Sequence, residues 1–291
     1  MLFDGKACSP VTIEATTLAS GNGWSVQEVI CSAGPRDRAF EERHETVSVA
    51  AVLAGTFLYR SGQGDTLLAP GSLLLGNHGQ CFECGHEHGT GDHCLSFHFT
   101  PACWENLVAA MPGVRKATFG HSHVPPAASL TRLLARLESA RQEAVRQGNA
   151  AALEEIAIDL AGIALHVDAG LRPRSGRLGR HDAQRVSDAV RRIEASAQLA
   201  DDSLTLGELS REAGLSPWHF LRVFRRVVGM TPHQYVLRTR MHRAAVQLRD
   251  STTSISGIAF EAGFSDLSTF NHRFRAVMGM NPGSYRARPK C

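Results

Sequence analysis

The chain has 291 residues, 43% apolar and 20% charged, which describes a globular protein of two ordinary domains and excludes a disordered or fibrous chain. It has no run of about 18 apolar residues, and Met1-Leu2-Phe3-Asp4 lacks the basic-then-apolar order of a secretory signal; no membrane partner is expected and the expected location is the cytoplasm. The net charge of +3 is uneven: residues 176–291 hold 18 Lys and Arg against 10 Asp and Glu, whereas 1–175 hold 13 against 18, the footprint of phosphate binding confined to the C-terminal half.

Residues 1–110 alternate short β-type runs with glycine turns. Thr46–Leu53, Gly55–Arg60, Asp65–Leu68, Ser72–Leu75 and Cys94–Phe99 are the clearest, punctuated by Gly55, Gly62, Gly64, Gly71, Gly76 and Gly79. That spacing predicts a small antiparallel sandwich or barrel. His44, Gly55 and the Asp65-to-Gly71 turn resemble a cupin-like jelly roll. Only His44 stands where a cupin metal set would need several His and a Glu, so no cupin-type metal site is carried over.

Within this half, His78 to His98 reads HGQCFECGHEHGTGDHCLSFH. Cys81 and Cys84 have C-x-x-C spacing, and His86, His88, His93 and Cys94 follow. Such a density of soft and borderline ligands suits tetrahedral Zn²⁺, with two sulfurs, Cys81 and Cys84, from one tight turn and the rest, Cys94 with one of His86, His88 or His93, from the next strand. Two other readings stay open. The C-x-x-C pair could sense oxidants or electrophiles, or the cysteines could be small buried hydrophobes beside a solvated histidine loop. Seven Cys without secretory context argue against disulfide stapling. His121-x-His123, before Pro125-Pro126, reads as a surface loop.

From Ser129 to about Leu171 the periodicity becomes helical. Leu130, Leu133, Leu134, Leu137 and Val145 form one stripe, and Leu153, Ile156, Leu160, Ile163 and Val167 a second, with Gly148-Asn149 as the turn between antiparallel helices. The stripes pack either on the sandwich or on the same helices of a second subunit, and a homodimer through 129–171 is the expectation. Residues 172–182 (RPRSGRLGRHD) read as a flexible, phosphate-accessible linker.

The remainder contains one module twice. EAGLSPWHF-LRVFRRVVGMTPHQY runs from Glu212 to Tyr235, and EAGFSDLSTFNHRFRAVMGMNPGSY from Glu261 to Tyr285, with one extra residue near Thr269. A short helix precedes each Gly214 or Gly263, where glycine accepts the left-handed backbone that ends it. Ser216 and Ser265 are natural N-caps for the next helix, which buries Phe220 and Phe224, or Phe270 and Phe274. Thr231-Pro232 and Asn281-Pro282 open a further helix each. Helix, short glycine turn, helix is the helix-turn-helix plan, whose second helix lies in a DNA major groove. The exposed faces of those helices are expected to be Trp218, His219, Leu221, Arg222, Arg225 and Arg226 in the first copy. In the second they are Leu267, Ser268, Asn271, His272 and Arg275. These residue types read base edges and hold phosphates.

Residues 186–288 resemble the paired DNA-binding domain of the AraC/XylS family of bacterial transcription regulators, and GFSDLSTFNHRFRAVMGMNPGSYR follows that family's signature. The resemblance implies seven helices, with 232–249 as a rigid connector. It also implies base reading by Trp218, Leu221 and Arg222, and by Leu267, Ser268, Asn271 and His272. Leu221 and His272 stand where Gln and Arg are more usual.

The fold class expected is α+β multidomain: a cupin-like sensing domain over 1–110, a helical segment over 111–171, a linker over 172–182 and an all-α DNA-binding domain over 183–291. The function expected is a sequence-specific regulator, an activator or a repressor, and not an enzyme. Double-stranded DNA is its partner, RNA polymerase a second one, and the signal a small molecule, a metal or a redox change. Phosphate contacts would come from Arg225, Arg226, Arg275 and the caps at Ser216 and Ser265, with the two faces about 34 Å apart, one DNA turn. The alternative is a cupin-like metalloprotein or thiol-dependent enzyme carrying a DNA-binding module.

Overall fold

The computed structural model describes residues 13–87, 91–111, 114, 116–148, 151–170, 179–198 and 204–287. His88 and most of the 172–182 linker lie outside the described residues.

The N-terminal half is a sandwich of two antiparallel sheets. Six strands run in the order β1 (Ile13–Gly21), β2 (Trp24–Cys31), β9 (Asp92–Phe99), β4 (Val47–Gly55), β7 (Leu73–Gly76) and β10 (His123–Val124). Four more run in the order β3 (Phe40–Arg43), β8 (Cys81–Gly85), β5 (Phe57–Ser61) and β6 (Gly64–Leu68). Strand alternation sorts the side chains by face. In β9, Leu95, Phe97 and Phe99 point out of the sandwich into a core shared with Val49 and Ala51 of β4 and with Trp104, Leu130, Leu134 and Leu160 of the covering helices. Cys94, paired with Val52, points inward among Tyr59, Leu68 and Leu74.

The covering helices are α1 (Pro101–Ala110), α2 (Ala128–Gln147) and α3 (Ala151–Gly170). Both predicted stripes turn toward the sheet. Leu130, Leu133, Leu134, Leu137, Leu153, Ile156 and Leu160 are buried in the chain's own core, with Ile163 and Val167 packed at its margin. Val145 does not join them and is 55% exposed. His121 is tied down rather than free on a loop: its Nδ1 and backbone N lie 2.8 and 2.9 Å from Asp168 Oδ1. His123, expected on that loop as well, is buried in β10.

Seven described helices follow: α4 (Arg180–Gln198), α5 (Leu206–Glu212), α6 (Pro217–Val228), α7 (Pro232–Asp250), α8 (Ile255–Glu261), α9 (Leu267–Met278) and α10 (Pro282–Ala287). The two modules close in the same way. Phe224 meets Phe220 and the edge of Tyr235, and Phe274 meets Phe270 and the edge of Tyr285, with ring centroids 5.4–6.0 Å apart. Edge-on aromatic contacts of this kind add to the area they bury. No described helix is long and apolar enough to cross a membrane.

Candidate nucleic-acid interface and the thiol cluster

Each recognition helix is set by the same backbone chemistry. Gly214 (φ 63°) and Gly263 (φ 79°) take the left-handed position after α5 and α8. The following amides, Leu215 N and Phe264 N, then donate back to Ser210 O and Ala259 O at 2.9 and 3.0 Å. This closes the helix end and aims the chain into the next helix. Ser216 caps α6, its hydroxyl accepting from His219 N at 3.3 Å. Ser265 does not cap α9. Asp266 does, its carboxylate accepting from Thr269 N at 2.7 Å and being held below the usual carboxylate range by that bond. The extra residue of the second copy therefore lies in the turn before α9 and not inside it, because a carboxylate one position later is the better-placed acceptor.

Trp218, Arg222, Arg225 and Arg226 are exposed on α6, and His219 and Leu221 are half-buried. On α9, Leu267, Ser268, His272 and Arg275 are exposed and Asn271 is half-buried; Ser216 and Ser265 are exposed in the turns. The Arg222 guanidinium lies over the Trp218 ring, 4.9 Å from its centroid. Arg226 is held in an ion pair with Asp182 of α4. Between the modules a cavity of about 640 Å³ is lined by Leu221 from α6, by Asp266, Thr269 and Arg273 from the second module, and by Arg240 of the connecting helix α7.

The Cys/His stretch is arranged otherwise than the sequence suggests. Cys81 and Cys84 lie on strand β8 and not on a tight turn; three positions apart on a strand, they face opposite sides and cannot chelate together. His93 lies on the outer face of β9, where its Nε2 is 2.8 Å from Glu28 Oε1. Glu28 also accepts from Arg141 of α2 at 2.7 Å. The inward positions instead bring in two residues not singled out from the sequence, Cys31 and Asp92, directly opposite each other in the β2–β9 register. His86, just past β8, completes the group. Ligand atoms of Cys31, His86 and Asp92 all lie within 4.8 Å of one another.

His86 Nε2 is 2.5 Å from Asp92 Oδ1, and the Cys94 thiol donates to Asp92 Oδ2 at 3.1 Å. Burial pushes the His86 imidazole down, but its hydrogen bonds to Asp92 and Cys31 outweigh that and bring it up to about 9. Burial, and then the Asp92 carboxylate, push the Cys94 and Cys84 thiols up. Elsewhere in the sandwich, half-buried His44 lies stacked on Phe82, ring centroids 4.1 Å apart, between Ser48 Oγ and Tyr59 Oη. Burial and the neighbouring His98 hold it down to about 4.

An antiparallel sandwich with a few polar groups set among an apolar interior is joined to two capped helix-turn-helix modules that share one long helix. Residues 26–161 match the AraC-like ligand binding domain family, and residues 209–288 a helix-turn-helix domain family. The regulatory protein SoxS of Salmonella typhimurium is 33% identical over 96 residues, covering 33% of this chain and 90% of that protein. The transcriptional activator AarP of Providencia stuartii is 35% identical over 83 residues, 28% of this chain. The chain spans 62% of the length of AarP and of the Tn10 TetD protein of Escherichia coli. The crystal structure of the AraC-like transcriptional activator CuxR aligns over 90% of both chains at 16% identity and a TM-score of 0.42. The chain belongs to the AraC/XylS family of transcription regulators.

Proposed function

We propose that the protein is a sequence-specific, double-stranded-DNA-binding transcription regulator whose N-terminal sandwich receives the signal. The observation that carries this reading is the pair of capped helices, α6 and α9, presenting exposed Arg, Trp, Ser and His faces from one continuous helix, α7. A rigid connector lets both faces enter successive major-groove segments together, so that base contacts set specificity while Arg225, Arg275 and the helix N-termini position the backbone. The basic balance of the C-terminal half supports it, and so does kinship with SoxS and AarP. In this reading the sandwich is a receiver, not a catalyst, and the protein works in the cytoplasm, with RNA polymerase as its further partner.

Selection of bound duplexes from a random pool tests the proposal: enrichment of a site with two blocks about one helical turn apart is expected. Recovery of no common sequence from the selected pool would overturn it.

Pairing of two copies through 129–171 belongs to the same reading. The inner stripes are committed to the chain's own core and α2 also packs on α7 and α9, so the surface proposed for pairing is the outer side of α3, where Ile158 is 49% exposed. Ile158→Glu is expected to convert a dimer to a monomer in light scattering; an unchanged mass would remove that surface.

A further inference from the structure

We propose that Cys31, His86, Asp92 and Cys94 form a tetrahedral site for one thiophilic divalent cation of the Zn²⁺ class. Two sulfurs, an imidazole nitrogen and a carboxylate oxygen are a soft-to-borderline set, suited to Zn²⁺ and ill-suited to Mg²⁺ or Ca²⁺. Bond lengths of about 2.0–2.3 Å place tetrahedral ligand atoms roughly 3.3–3.8 Å apart. Ligand atoms of Cys31, His86 and Asp92 lie within 4.8 Å of one another, and Cys94 stands beside this trio as the fourth ligand, its sulfur 3.1 Å from Asp92 Oδ2.

Three of the four ligands sit on paired strands. Cys31 is opposite Asp92, and Cys94 is two positions further along the same face of β9. Such a frame fixes positions better than a loop does. The bland alternative is a buried His86–Asp92 pair with two cysteines as filler. Against it, Cys94 donates to the same carboxylate that His86 pairs with, and Cys31 is the third member of that group. On binding, each thiol and the His86 ring give up a proton to solvent, and two thiolates and a carboxylate surround the dication.

The site adjoins the DNA-binding half. The Phe57 ring stacks on His86 at 5.8 Å, and its neighbour Thr56 is hydrogen-bonded to Ser187 of α4. Glu87, next to His86, is 3.2 Å from Arg180 of the same helix. Ligation that repositions His86 therefore acts on contacts to α4. This consequence rests on the regulator reading; the metal site does not.

The test uses the reduced full-length protein in a Zn²⁺ competition against a colorimetric chelator. One equivalent is expected, with affinity reduced by about a hundredfold or more in Cys31→Ser and Asp92→Asn and unchanged in Cys81→Ser, which lies on the other face of β8. Co²⁺ added to the unmutated protein reports the site without any variant: intense visible bands with near-ultraviolet thiolate charge transfer are expected. No Zn²⁺ uptake, weak octahedral Co²⁺ bands, or equal retention by Cys31→Ser would each overturn the site. Loss in Cys81→Ser would return it to the C-x-x-C pair. Separately, affinity for the selected DNA is expected to shift several-fold on Zn²⁺ loading; identical affinity at full occupancy would overturn the coupling alone.

Discussion

Arg222 and Trp218 show how much a single recognition position can be asked to do. Stacked on the indole, the guanidinium is pre-ordered for a planar contact with a base edge. Arg222→Ala is expected to weaken binding to the selected site by about 1–3 kcal/mol and to relax one base position, measured by fluorescence anisotropy against single-base variants. Equal losses on specific and random duplexes would make Arg222 a phosphate contact instead. His44 supports a prediction of a different kind. Its folded value of about 4 lies below the unfolded 6.5, so the neutral ring belongs to the folded state. The stability it contributes is complete above pH 6.5 and is lost as pH falls from 6.5 through 4, by at most about 3 kcal/mol. Thermal unfolding at stepped pH checks this, and His44→Gln is expected to flatten that limb.

At the scale of the element, the helix-turn-helix modules were legible because their determinants are local. A glycine at a positive φ, a cap three residues before the amide it satisfies, and phenylalanines at i, i+4 need no knowledge of the rest of the chain. Ser216→Ala is expected to cost about 1 kcal/mol and lower the melting temperature. Phe274→Ala, which empties a site between Phe270 and Tyr285, is expected to cost about 3–5 kcal/mol in denaturant titrations. The residue misread there was also a local matter: Ser265 and Asp266 are adjacent acceptors, and the sequence does not say which one the turn brings to the Thr269 amide. Strand β8 was misread for the opposite reason. C-x-x-C is a chelating spacing on a turn and a non-chelating one on a strand, and only pairing of β8 with β3 and β5 makes it a strand.

Across the whole molecule, the two halves meet through α7 and α4. Arg238, buried on α7, donates to the Pro70 carbonyl at 2.8 Å, and the Tyr235 hydroxyl reaches the same oxygen at 3.0 Å. Gly71 (φ 91°) permits that approach: a Cβ there would sit 2.3 Å from Arg238 Nη1. Ala135 of α2 enters the core of the second module beside Met241, Ala244 and Ala245. The recognition faces remain outward, Trp218 being 69% exposed. Gly71→Val is therefore expected to separate one calorimetric transition into two; a single, merely lowered transition would show the contact to be dispensable to the coupling. Alone, the sequence determined the repeat, the Ser216 cap, the basic half and the family, because each depends on residues near one another along the chain or on composition. Only the tertiary structure decided that the central stripes serve the chain's own core, that the thiol group gathers around Cys31 and Asp92, and that α7 docks on Pro70. Those depend on which strand lies beside which, and a shift of one residue in register would turn every side chain to the other face.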